Sequence, residues 1–355
     1  AEIDLSALLQ VDPPARGEDF AQFALSDDLS VIKLDALQTI SSAGGYTNFL
    51  MSNSAVLNLP ALTTMEDVTF ALTSGAQLHA NGSEASYSSA GIWWTTTIMS
   101  SDGVSEDGTT PTLLDLATVT GLSTAFNDNS GGTRGHTITA TNGAEIDLSA
   151  LLQVDPPARS EDHVRFAVSG VDSTLDMSSL GTTTNPGSGR VILDIADGGY
   201  MQMGNVNNTG VTTTIDLNTD SVLSVASLRA DSPLAISLHT TTDRVEASGS
   251  LLLGSDISIT APAGGTVSVG GEFLFTHKET ADLSLGLAHV ECVGDSQRLE
   301  VGGTDVDLQL QFLPDDNFGY QQLIIGQASK TSVVKLVDLH DNLAPDIADA
   351  LYLFG

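Results

Sequence analysis

Sixteen residues, AEIDLSALLQVDPPAR, occupy positions 1–16 and return unchanged at 144–159. Sixteen consecutive identities do not arise by chance. They record a recent duplication or a strict demand for the same geometry twice. The likeness continues without a gap at the same offset. Phe23-Ala24-Leu25-Ser26 answers Phe166-Ala167-Val168-Ser169, and Ile32-Lys33-Leu34 answers Leu175-Asp176-Met177.

A shorter unit recurs inside the long one. FLMSNSAVLNL begins at Phe49, FALTSGAQLHA at Phe70 and ITATNGAEIDL at Ile138; FALSDDLSVIKL at Phe23 and FAVSGVDSTLDM at Phe166 carry one residue more. Each reads as an apolar strand start, a small polar turn and a second short alternating strand. Sequence periods of 20 to 50 residues belong to solenoids, propellers and arrays. A propeller blade needs about 40 residues and four strands, which is too long for this unit. LDALQTI, LNLPALTTM and IDLSALLQV superficially resemble leucine-rich repeats. The linking residues SNSA, TSGA and TNGA, however, are turns rather than helices. The expectation is therefore an all-β, right-handed parallel β-helix (β-solenoid) of about 21–29 residues per coil, with inward Leu, Ile, Val and Phe forming ladders. At about 25 residues per coil the chain makes roughly 13 to 14 coils, a rod on the order of 65 Å long.

The repeat divides the chain into a first unit at 1–143, a second at 144–230 and a β-rich C-terminal segment at 231–355. Residues 81–111, which hold both tryptophans, read as an excursion from the coil, and 125–136 as a further loop. The first residues already lie inside a repeat and the last end on apolar DALYLFG, so both termini read as cut or, at the C-terminus, buried.

Composition closes off several functions. With 45 acidic residues against 12 Lys plus Arg, the formal net charge is −33. No basic stripe exists to neutralise phosphates, which excludes nucleic acid as a partner. The same lack excludes attraction to an anionic bilayer, and no apolar run is long enough for a membrane span. Cys292 is the single cysteine, so no intrachain disulfide forms; its strand-like surroundings predict a buried thiol.

LNLPALTTM, IDLSALLQV, LTSGAQLHANG and the C-terminal QLIIGQASKTSVVKLVDLHDN resemble very large, low-cysteine, Ser/Thr/Gly-rich repeat proteins of environmental bacteria, planctomycetes among them. The resemblance implies a parallel β-solenoid from a secreted or cell-surface adhesive or structural protein. It carries over no catalytic residue.

Candidate chemistry is sparse. Calcium takes six to eight oxygens, many from turns, and the oxygen-rich triplets Asn127-Asp128-Asn129 and Asp315-Asp316-Asn317 are the candidate ligands, with Asp102, Glu106 and Asp107 a third cluster. None matches EF-hand or nonapeptide spacing. Trp93 and Trp94 are candidate partner contacts. The two DPPAR segments read as rigid corners, with Arg159 set to pair with Glu161 or Asp162. Thr triplets at 95–97, 182–184, 212–214 and 240–242 would suit an ice-ordering face only if they share one. The seven histidines show no metal-binding spacing.

The expected function is that of a non-enzymatic, extracellular structural or adhesive solenoid, self-associating end to end or holding a glycan or cell-surface ligand. The alternative is a polysaccharide-binding or polysaccharide-cleaving β-helix, whose carboxylates would share one face.

Overall fold

A computed structural model of the chain describes residues 2–17, 19–42, 44–92, 94, 96–127, 132–184, 188–254, 256–276, 283–300, 320–326 and 332–337. Strict alternation of apolar and polar residues makes these segments strands, because side chains switch faces at every residue. Val68–Thr73 buries Val68, Phe70 and Leu72, and His163–Ser169 buries Val164, Phe166 and Val168. The described residues contain no helix, and every pairing between strands is parallel.

The strands wind into thirteen coils among the described residues, stacked on three faces. Coil 4 shows the plan: Val68–Thr73 on the first face, Gln77–His79 on the second and Ala85–Ser88 on the third. Coil 1 is represented by Glu2–Asp4 and Gln10–Val11, and coil 13 by Gln322–Ile325 and Val333–Val337. This is a parallel β-solenoid, as the repeat predicts. One inward ladder on the first face runs Phe23, Phe49, Phe70, Met99, Ile138, Phe166, Leu193, Ile215, Ile236 and Ile259 in unbroken register. Its upper rungs stack as rings: Phe23 on Phe49 at 5.1 Å and Phe49 on Phe70 at 5.4 Å, both near parallel.

Each corner has its own chemistry. The first-to-second turn needs left-handed backbone, supplied by Asn53-Ser54 (φ 53 and 59°), Ser74-Gly75 (56 and 78°) and Asn142-Gly143 (58 and 83°). Small Asx, Ser and Gly residues tolerate that region best. The second-to-third corner is a Leu-x-x-Leu turn. In Leu34/Leu37, Leu59/Leu62 and Leu148/Leu151 the second N–H donates to the first carbonyl at 3.0, 3.3 and 2.8 Å, and all six side chains are buried. These are the segments that resemble leucine-rich repeats. At the third corner the DPPAR segments leave the strand, as two prolines require. The coil below passes so close that a Cβ on Gly45 or Gly189 would lie 2.2 Å from the Pro14 or Pro157 carbonyl oxygen.

The structure corrects the sequence reading of residues 81–111, which are not one excursion. They supply Ala85–Ser88 and Thr97–Asp102, both in register with their neighbours. Ser-rich strands disguise themselves as loops, but Tyr87, Ile98, Met99 and Ser101 all point inward. Among the described residues of this stretch, 89–92, 94 and 96 lie outside the strands, and a tight detour runs from Gly103 to Thr112, closed by a Val104–Pro111 bridge. Together with the loop before Gly135, that detour stretches the Met99-to-Ile138 interval to 39 residues, beyond the expected 21–29. The ladders also run unbroken across 143/144 and 230/231, through Leu114 on Ile146 and Ala230 on Leu253. The proposed divisions therefore mark sequence repeats, not breaks in hydrogen bonding.

Candidate functional site

Of the predicted calcium ligands, Asn127 is exposed in the loop that follows Val119–Ser123. Asp128, Asn129, Asp315, Asp316 and Asn317 lie outside the described residues, as does Trp93. In the third cluster the carboxylates serve the backbone turn. Asp107 accepts from the Ser105 and Thr109 hydroxyls and the Thr109 N–H, which together hold its carboxyl below the usual range. Asp102 accepts from Thr141 and Asn142 one coil on. Among the described residues no three His, Cys, Asp or Glu side chains converge as metal ligands. Trp94 folds back on the stack rather than outward. Its ring meets Tyr46 edge-on at 6.5 Å and covers Gly17, where a Cβ would lie 3.0 Å from the indole. Arg159 pairs with Glu161 as expected. Of the four Thr triplets, 182–184 lies on the third face, 212–214 on the first and 240–242 in a turn, so these three build no common array; Thr97 begins a first-face strand, and Thr95 lies outside the described residues.

Stacking assembles two features that linear spacing hid. On the second face His79, Asp115, Asp147 and Asp176 occupy successive rungs, about 4.8 Å apart, with Glu145 two residues from Asp147. His79 Nδ1 lies 2.9 Å from Asp115 Oδ2. Burial first, then the neighbouring Asp147, Asp176 and Asp115, pushes the Glu145 carboxyl upward. Each aspartate also caps the following turn, Ser149 N–H donating to Asp147 Oδ1 at 2.8 Å. The available signal was an Asp followed by an apolar residue and two small ones, at Asp115-Leu116, Asp147-Leu148 and Asp176-Met177. Lower on the same face, a groove of about 480 Å³ holds Arg244 between two acids, 2.8 Å from Glu246 and 3.3 Å from Glu291.

The second feature is buried at the third corner. His136 donates to or accepts from the Ser89 hydroxyl at 2.8 Å, sits 3.3 Å from the Ile92 carbonyl, and packs its ring 4.7 Å from Phe126. Burial holds its pKa down to about 4.

The two copies of the duplicated segment differ in exposure. Ile3 is 54% exposed and Leu5 37%, whereas their duplicates Ile146 and Leu148 are fully buried. Leu9 and its duplicate Leu152, which point outward in both copies, are 58% and 54% exposed. The difference therefore lies in cover, not in sequence. In the second copy Leu113–Asp115 and Val119–Ser123 lie on the segment; in the first nothing described does.

A three-faced parallel β-solenoid is the class these features define. Comparison with protein-family models, curated proteins and solved structures finds no match to this chain.

Proposed function

We propose that the chain is a non-enzymatic structural or adhesive rod of an extracellular bacterial surface protein, acting mechanically. The observation that carries this reading is the continuity of the inward ladders, from Phe23 to Ile259 on the first face and from Leu57 to Leu323 on the second, each through ten or more coils. In such a stack each coil contacts only its neighbours, so load is shared among many similar interfaces. The engaged carboxylates support a mechanical rather than a catalytic role. Glu246 and Glu291 share one guanidinium, and the aspartates of the second face are tied to their turns. The extracellular setting rests on the resemblance to large surface repeat proteins.

Single-molecule stretching between the two ends tests the proposal. A rod of this kind yields in steps near one coil, roughly 80 Å of contour for 24 residues. One low-force collapse of the whole stack would overturn it.

A further inference from the structure

We propose that one buried water molecule is bound between the third and first faces of the stack, held by the amide of Asn208 and the hydroxyls of Thr213 and Thr183. Its place follows from a change in coil length. Phe166 to Leu193 spans 27 residues, Leu193 to Ile215 22 and Ile215 to Ile236 21. The longest of these coils still turns through a Met177/Leu180 corner, where the Leu180 N–H donates to the Met177 carbonyl at 2.8 Å. The next coil has no such corner. Tyr200–Thr209 runs as one strand through both faces, and a Cβ on Gly204 would lie 2.7 Å from the Leu180 carbonyl oxygen. A wide coil is thus stacked on a narrower one. A cavity of about 20 Å³ lies at this step, among Phe166, Leu180 and Met203.

Three polar side chains line the cavity in an otherwise apolar bore. On the third face the inward column reads Val154, Thr183, Asn208, Ala230 and Leu253, so Thr183 and Asn208 replace two apolar rungs. On the first face Thr213 stands between Val191 and Leu234. Thr183, Asn208 and Thr213 are only 3, 2 and 7% exposed. Thr183 donates to Asn208 Oδ1 at 3.1 Å, while Asn208 Nδ2 and Thr213 Oγ1 have no partner among the described residues. Buried polar atoms are costly to leave unpaired. A water needs about 10–15 Å³ of such space and two to four polar partners, so this cavity takes one. The Asn208 N–H calls for an acceptor, which a metal cation is not, and no charged side chain in the lining would neutralise an anion. Water meets both demands. It accepts from Asn208 Nδ2, donates to Thr213 Oγ1 and keeps a second proton for the Thr183 oxygen. The two faces are thereby tied together where the rod narrows.

A high-resolution crystal structure of the whole chain tests the site. One density peak is expected within hydrogen-bond distance of Asn208 Nδ2 and Thr213 Oγ1; a cavity without a peak overturns the proposal. Oxygen-17 magnetic relaxation dispersion, which counts waters held inside a fold, tests it in solution. Asn208→Leu combined with Thr213→Val removes both unpaired groups, and Leu already occupies that column at Leu253. The count in this variant is expected to fall by one. Thr213→Ser keeps the hydroxyl and keeps the full count. An unchanged count in the double variant, or an equal loss in Thr213→Ser, would sink the assignment. Far-UV circular dichroism matching the unaltered chain verifies that each variant folds. The density of the unaltered chain gives its answer whether or not they do.

Discussion

His136 is where a single proton reaches the fold. Fully buried between Ser89, Ile92 and Phe126, it stays neutral down to about pH 4, while in the unfolded chain it takes a proton near its ordinary 6.5. Between those values the unfolded chain binds a proton that the fold refuses. The stability this residue contributes is complete above pH 6.5 and is lost as pH falls toward 4, by about 3 kcal/mol. Urea unfolding at pH 7.5 and 4.5 measures the loss, and in His136→Gln the difference between the two pH values shrinks by a similar amount. Cys292 gives a second residue-scale prediction. Burial pushes its thiol up to about 11, so at pH 8 it is neither ionised nor accessible. A thiol reagent labels it only in step with unfolding; rapid labelling of the folded chain would contradict its place at the inner wall.

Among the elements, the phenylalanine ladder is the feature that reading alone reached most fully. Phe23, Phe49, Phe70, Ile138 and Phe166 align as sequence and lie in one column as structure, and Phe49, Phe70 and Ile138 are each followed by the same pair of left-handed residues. Met99 completes that column and escaped notice. The Gly103–Thr112 detour and the loop before Gly135 separate it from the next rung, and spacing is the only handle an alignment has. The His79–Asp115–Asp147–Asp176 row was equally hidden, since neighbours across rungs are about thirty residues apart in the chain. Packing at Phe49, between two parallel rings, predicts that Phe49→Ala costs roughly 3–5 kcal/mol. The loss is local in a stack, so hydrogen exchange should quicken in coils 2 to 4 while Ile215 and Ile236 keep their protection. Gly143, at φ 83° with Val104 3.1 Å from where a Cβ would stand, predicts a loss for Gly143→Val of about 1–3 kcal/mol by denaturant midpoint.

For the whole molecule, a net charge of −33 opposes every encounter between copies. Salt shortens the reach of that field from ~30 Å at 0.01 M to ~8 Å at 0.15 M. The repulsion between copies measured by light scattering, as the second virial coefficient, should therefore fall with NaCl over that range; a rise would contradict it. The duplicated sixteen residues have one more effect, on how the chain finds its shape. Residues 1–16 and 144–159 are interchangeable guests for the slots above coils 2 and 7. Chain connectivity decides between them. Glu2 reaches Val31 across 29 residues, while the wrong slot lies a further 143 away, and the longer loop costs only roughly 1.5 kcal/mol more to close. Such a narrow margin leaves mis-threaded chains within reach of refolding from denaturant, where both segments compete at once. A chain that emerges from one end and winds as it appears meets only one vacant slot at a time.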